Sequence, residues 1–383
     1  MSEDRIDPQN RIERVRELLR SPNAHVRALL GVLHPSEIAQ VLENTSPEIQ
    51  ERILRELPRE LLSMALAEMD DDTQPGDLLA VLHPEISAGL IKELAPDDAA
   101  DLLGLLKEDY REKVLYYLPD EEELVLNQLL TYDEDSAGGL MNPEVVMVKE
   151  NMTKLEALRV VVEQSEEREQ FYAIYVTDDD NQLQGYLTFR ALFLARSTEL
   201  VKNIMSSDVV AVFVDDDQED VARIMSQYNL PTLPVLDRER HLLGRVTFDD
   251  IMDVLEEEST EDILSFAGVS EDENLRGGWA DAVKSRLPWL MVNLGTASLA
   301  AYVISQFGTT IEKLVLLTSL MPIIAGVSGN GATQTLAVTI RRISTNGVHP
   351  RQAFRVILKE LSVGAIQGLM LGAVVSFAVA FLS

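Results

Sequence analysis

The chain has 383 residues with 64 Asp or Glu against 33 Lys or Arg, a formal net charge of −31, and no Cys. That length exceeds one ordinary domain, the acidity argues against a nucleic-acid partner and favours cations, and the lack of Cys excludes disulfides and thiolate metal sites. From Lys284 onward eight Lys or Arg face two Glu, a net of +6 that leaves −37 for residues 1–283, so an acidic water-facing part and an apolar, slightly basic part are expected.

The opening MSEDRIDPQNR has no apolar segment after its charges and does not read as a signal peptide, so the acidic part is expected in the cytosol. Residues 1–131 read as helices only, with Leu, Ala and Ile at three- and four-residue spacing in PSEIAQVLENT and PDDAADLLGLL. Pro35, Pro47, Pro58, Pro84, Pro96 and Pro119 punctuate them, and Leu-His-Pro occurs at Leu33 and again at Leu82. Proline suits a first helical turn, where its missing N–H has no partner to lose, so each can open a short helix of a small α-solenoid. His34 and His83, both before Pro, read as caps or packing residues of the repeat.

Near Tyr132 the period changes. Two α/β units follow, residues 132–198 and 199–258, each with an apolar strand (Val145–Val148; Val209–Val214), an amphipathic helix, an acidic turn, a Leu-x-Gly step and a closing strand and helix. This internal duplication, with Met205 before the second strand and Asp249-Asp250 after the last, resembles a tandem pair of CBS domains, named after cystathionine β-synthase.

Residues 259–283 are expected to form a connecting helix and a polar linker, Glu271–Gly278. The stretch from Asp249 to Asp262 holds eight carboxylates and no base. As a helix it puts Asp250, Asp253, Glu257 and Glu261 on one face, where like charges repel. Such a face is either a solvated surface of a very acidic protein or a cation-controlled switch, because a divalent ion between carboxylates removes their repulsion. Asp97 and Asp101 lie four apart in PDDAADLL, and Asp217 and Glu219 open a helix; each is either a helix-start acid favoured by the dipole or a metal ligand.

Residues 284–383 contain three uncharged runs, Leu287–Phe307, Leu314–Ile340 and Leu361–Ser383, of 21, 27 and 23 residues, each long enough to span a bilayer. Lys284 and Arg286 precede the first, and five bases from Arg341 to Lys359 separate the second from the third; the positive-inside rule then puts the N-terminus inside and the C-terminus outside. In the second run, PIIAGVSGNGATQ sets Pro322, Gly326, Gly329, Asn330 and Gln334 at membrane depth. This interruption points to an ion path, with close helix packing as the alternative for the glycines.

Taken together, Asp135-Ser136-Ala137-Gly138 with Leu140-Met141, Asp249-Asp250 with Glu261-Asp262, Arg286-Leu287-Pro288-Trp289-Leu290, Pro322 with Gly329-Asn330 and Gln334, and Lys359-Glu360 resemble the MgtE family of magnesium channels, in that family's order. The resemblance implies a multidomain membrane protein: an all-α N-terminal solenoid, an α/β CBS pair, a connecting helix and an α-helical transmembrane domain, working as a homodimer in the lipid bilayer of the inner membrane. It implies Mg²⁺ as cargo and regulator, with Asp97, Asp101, Asp217, Glu219, Asp250, Asp253, Glu258, Glu261 and Asp262 as sensor ligands that favour closure at high Mg²⁺. It also implies adenine nucleotide at the CBS pair.

Ser328-Gly329-Asn330-Gly331-Ala332-Thr333-Gln334 departs from the family's Gly-Gly-Asn-Ala-Gly-Thr-Gln, Gly308 stands where an acid is usual, and the family's last two helices, one with a pore Asp, are expected to be missing after Ser383. A membrane-anchored CBS sensor without transport is the alternative. No nucleophile, base or cofactor motif suggests an enzyme.

Overall fold

The computed structural model describes residues 8–21, 25–70, 73–165, 171–270, 278–313, 315–346 and 350–382. The linker at 271–277, Leu314 at the head of the second uncharged run, and Ser383 at the end of the third lie outside the described residues. The chain divides into two compact units, Met1–Glu257 and Glu258–Ser383.

The first unit opens with α1 (Pro8–Leu19), α2 (Val26–Leu30), α3 (Pro35–Glu43), α4 (Pro47–Glu56) and α5 (Arg59–Ala67). It continues with α6 (Pro75–Ala80), α7 (Pro84–Ile91), α8 (Pro96–Gly104), α9 (Glu108–Leu115) and α10 (Asp120–Leu129). Helices α1, α3, α5, α7 and α9 pack in sequence as one row, and α6 and α8 pack in turn on α8 and α10 in a second. Leu30, Leu42, Ile53, Leu66, Leu79 and Leu103 are fully buried in its core.

Pro35, Pro47, Pro84 and Pro96 begin their helices, whereas Pro58 and Pro119 sit one position earlier as caps. Both repeat histidines cap: the His34 ring accepts the Ser36 N–H at 3.4 Å, and the His83 ring accepts the Glu85 N–H at 3.4 Å. Glu37 returns the bond at the first cap by accepting the His34 N–H at 2.9 Å, a reciprocal capping box.

Two small sheets of identical topology follow. In the first, β1 (Met147–Lys149) lies parallel to β2 (Ile174–Thr177), which is antiparallel to β3 (Leu183–Leu187); α11 (Lys154–Ser165) connects β1 to β2, and α12 (Phe189–Leu194) and α13 (Val201–Ile204) follow. In the second, β4 (Val212–Phe213), α14 (Gln218–Tyr228), β5 (Thr232–Leu236) and β6 (Leu242–Thr247) repeat the order, ending in α15 (Phe248–Ala267).

The two halves are laced together by their lead-in segments. Asn142, ahead of the first sheet, bridges Arg245 on β6, while Ser206, ahead of the second, bridges Tyr186 on β3. Both Leu-x-Gly glycines exist for this exchange. A Cβ at Gly244 would lie 2.8 Å from the Asn142 carbonyl oxygen, and one at Gly185 would lie 2.5 Å from that of Ser206. The Asp135-Ser136-Ala137-Gly138 motif joins in, with Ala137 N–H donating to Asp216 O at 2.7 Å and Gln218 N–H to Asp135 O at 2.8 Å.

The second unit is helical: α16 (Trp279–Ser305), α17 (Gly308–Lys313), α18 (Val315–Asn346) and α19 (Pro350–Leu382). Among the described residues α16 and the Phe354–Phe381 part of α19 are long and apolar enough to cross a membrane, and neither window is buried inside the chain. The second uncharged run, expected as a further span, falls on α18, a helix of 32 residues.

The expected interruption at Pro322–Gln334 is absent from the backbone, because α18 runs unbroken through it. Glycine costs a helix stability without breaking it. Pro322 lies inside the helix, past its first turn, at the cost of one backbone hydrogen bond.

Candidate functional site

Helix α15 carries the acidic face as one element, passing without a break through residue 258, where the second CBS unit was expected to end. Thr247 caps it: Asp250 at the third helical position accepts the Thr247 N–H at 3.1 Å and its hydroxyl at 2.7 Å. Asp250 is half-buried. Burial pushes its carboxyl up to about 6, with Asp249 and Asp253 adding repulsion and the Thr247 bonds resisting. Asp253 is raised by the same burial together with Glu256 and Asp249. The face therefore holds its negative charge at a cost that a nearby cation would relieve.

The other candidate acids occupy helix starts. Asp217 caps α14, its Oδ1 accepting the Glu219 N–H at 2.9 Å, and both side chains are exposed. Asp97 stands in the first turn of α8 at 9% exposure, and its Oδ1 accepts the Asn142 side-chain amide at 3.0 Å. Asp101, one turn on, is exposed, whereas Glu258, Glu261 and Asp262 are partly exposed on the second half of α15. Among the described residues no three acids or histidines of one chain converge closely enough to cage a metal. The arrangement suits a hydrated ion held by one or two carboxylates, the usual mode for Mg²⁺. Sequence reasoning missed Asn142, whose only signal is an amide side chain directly after Leu140-Met141.

The pore candidates lie on α18. At 100° per residue Pro322, Gly326, Gly329, Asn330 and Thr333 share one stripe, with Gln334 at its edge. All of these side chains and glycines are exposed, and a Cβ at Gly326 or Gly329 would meet nothing within 4 Å. The stripe is thus open among the described residues. The Gly329 carbonyl accepts the Thr333 hydroxyl at 3.1 Å in addition to its helical role. Glu360 enters a cleft between α18 and α19, beside Thr335, Thr339 and Gly364. It pairs with Lys359 at 3.3 Å.

The same division appears in known proteins. Residues 11–135 match the family described as MgtE intracellular N domain, 137–197 and 201–257 match the CBS domain, and 321–383 match the family described as divalent cation transporter. The magnesium transporter MgtE of Thermus thermophilus is 34% identical over 90% of this chain and 78% of its own length. That of Enterococcus faecalis is 32% identical over 90% and 76%. Among solved structures, the cytosolic domain of the Mg²⁺ channel MgtE in complex with ATP superposes with a TM-score of 0.58 at 34% identity, covering 65% of this chain and all of that one. The soluble part of a magnesium transporter does so with 0.58 at 31%, covering 66% and 100%. With that identity carried across all of its parts, this chain belongs to the MgtE family of magnesium transporters.

Proposed function

We propose that this protein carries Mg²⁺ across a membrane and that cytosolic Mg²⁺ closes it by occupying the acidic faces of α8, α14 and α15. The observation that carries the reading is the continuous α15, whose carboxylates run from the CBS pair into the unit that holds the membrane helices. When bound there, Mg²⁺ supplies positive charge and ordered water to carboxylates that otherwise repel. Asp97 and Asp101 present one face, Asp217 and Glu219 a second, and Asp250, Asp253, Glu258, Glu261 and Asp262 the third. Closure follows only where these faces hold the ion more tightly together than apart, since equal affinity shifts nothing. The α18 stripe, with the Asn330 amide and the small residues beside it, lines the path for a hydrated ion. Membrane helices α16, α18 and α19 form a multi-pass domain, with the N-terminal unit in the cytosol. The protein is a transporter and not an enzyme.

A homodimer fits two features. Leu155, Leu158 and Val162 on α11 and Phe248, Met252 and Leu255 on α15 are each at least 41% exposed, and apolar surface of that kind calls for a cover. Among the described residues Gly326 and Gly329 of the α18 stripe likewise meet no packing partner, which a second copy supplies. Adenine nucleotide binding at the CBS pair follows from the ATP complex of the related cytosolic domain.

Mg²⁺ influx into proteoliposomes containing the full chain, followed with an enclosed Mg²⁺ dye, tests transport. Limited proteolysis of the same chain across millimolar MgCl₂ tests sensing. Uptake together with Mg²⁺-dependent protection is expected. Protection without uptake would reduce the protein to a membrane-anchored sensor, and neither would overturn the reading.

A further inference from the structure

The acidic helix and the first membrane helix meet in a close contact. Gly268 stops α15 at φ 70°, and a Cβ at that position would run into Cδ1, Nε1 and Cγ of Trp289 on α16. The Gly268 backbone therefore lies directly against the five-membered ring of the indole. Glycine alone combines that left-handed turn with so near an approach.

Trp289 stands where a small displacement has a large effect. It follows Pro288, which lies inside α16 and removes the backbone bond that the Lys284 carbonyl would otherwise accept. A helix bends most readily where such a bond is missing. Trp289 also comes two residues after Leu287 opens the uncharged run, the depth at which an indole favours the boundary between lipid and water. An indole has only two side-chain torsions, so a shifted backbone carries the ring and its helix along, where a longer side chain would yield.

We infer that Trp289 is a positioning residue: the end of α15 acts on α16 through its indole, at the pliant point beside Pro288, so that the state of the acidic helix sets the angle of the first membrane helix. This rests on the reading of α15 as a Mg²⁺-sensing element. The contact gives that reading a route from carboxylates to membrane.

The test is hydrogen exchange of the full chain in detergent, titrated with MgCl₂ and read separately for α15 and for the turns of α16 on either side of Pro288. In the unaltered chain both should respond with one midpoint. Trp289→Ala removes the ring and touches none of the candidate sensor acids. The α15 response should keep its midpoint to within about threefold, while the α16 response is lost. Trp289→Phe keeps a flat ring and should bring the α16 response back. A residue needed only for packing would not separate the two responses in this way.

If Trp289→Ala does not fold by circular dichroism, Trp289→Leu serves, since it keeps apolar bulk without the flat ring; it should lose the α16 response likewise. An α16 response that survives in the folded variant, one that stays lost in Trp289→Phe, or one absent from the unaltered chain while α15 responds, overturns this inference alone. No Mg²⁺ response of α15 in the unaltered chain overturns the sensing reading and this inference with it.

Discussion

Two carboxylates of the cytosolic unit answer pH in opposite directions. Glu37 is 7% exposed; burial raises its carboxyl, but the Arg11 guanidinium and the His34 N–H outweigh burial and hold it below the usual range. A depressed pKa stabilises the fold above the unfolded value, and that stability is lost as pH falls through the folded one. Glu37→Gln should therefore cost about 1–2 kcal/mol at pH 7, and the difference from the native chain should shrink below about pH 4 in thermal unfolding followed by circular dichroism. For Asp250 the sign reverses. Its carboxyl is raised to about 6, so the fold is stabilised below the unfolded pKa and loses that contribution as pH climbs through 6. Asp250→Asn should stabilise the metal-free protein at pH 7.5 by roughly 1–3 kcal/mol, give no gain near pH 4, and weaken the further stabilisation by MgCl₂. A melting temperature unchanged at pH 7.5 with EDTA would remove the argument for a strained acidic face.

At the scale of elements, α15 and α18 show how far periodicity carries. The charge run of α15 and its three- and four-residue spacing were legible because a helix face depends on local sequence alone. Its continuity past residue 258 was legible for the same reason, since the spacing runs on to Glu261 with no Pro or Gly to break it. In α18 the composition was legible and the backbone was misjudged: Gly and Pro raise the cost of a helix without forbidding it. The stop of α15 is a different matter. Gly268 ends the helix at φ 70°, its N–H bonded to Ser265 O at 3.0 Å and the Val269 N–H to Leu264 O at 3.0 Å, a pattern that favours glycine. A Cβ there would also clash with the indole of Trp289 on α16. Gly268→Ala should cost about 1–2 kcal/mol from the left-handed backbone alone and speed hydrogen exchange in the last turn of α15. Unchanged exchange would show that the cap does not hold the helix end.

For the whole molecule, the order of parts was readable because each part has its own period: short Pro-started helices, duplicated strands with Leu-x-Gly steps, an acidic helix, then uncharged runs. What could not be read were contacts between residues far apart in the chain. Asn142 with Asp97 and the exchanged lead-in segments depend on tertiary register, which leaves no local pattern. The separation of sensor from path also yields a test at this scale. Gly329→Leu places a branched side chain on the open stripe of α18, far in sequence from every candidate sensor acid. It should abolish Mg²⁺ influx into proteoliposomes while leaving Mg²⁺-dependent protease protection of the cytosolic unit unchanged. Loss of both would mean that the stripe is needed for folding rather than for passage.

The exchange of lead-in segments in the CBS pair bears on how the protein is made. Asn142 leaves the ribosome well before Arg245, its partner on β6; at 5–20 residues per second their separation of roughly a hundred residues amounts to about 5–20 s. During that interval the first half of the pair has no strand to receive its lead-in, so the nascent solenoid waits beside an unfinished neighbour. The pair closes only as α15 emerges, shortly before the first apolar helix calls for the membrane. Translation order thus completes the regulator before the part it regulates.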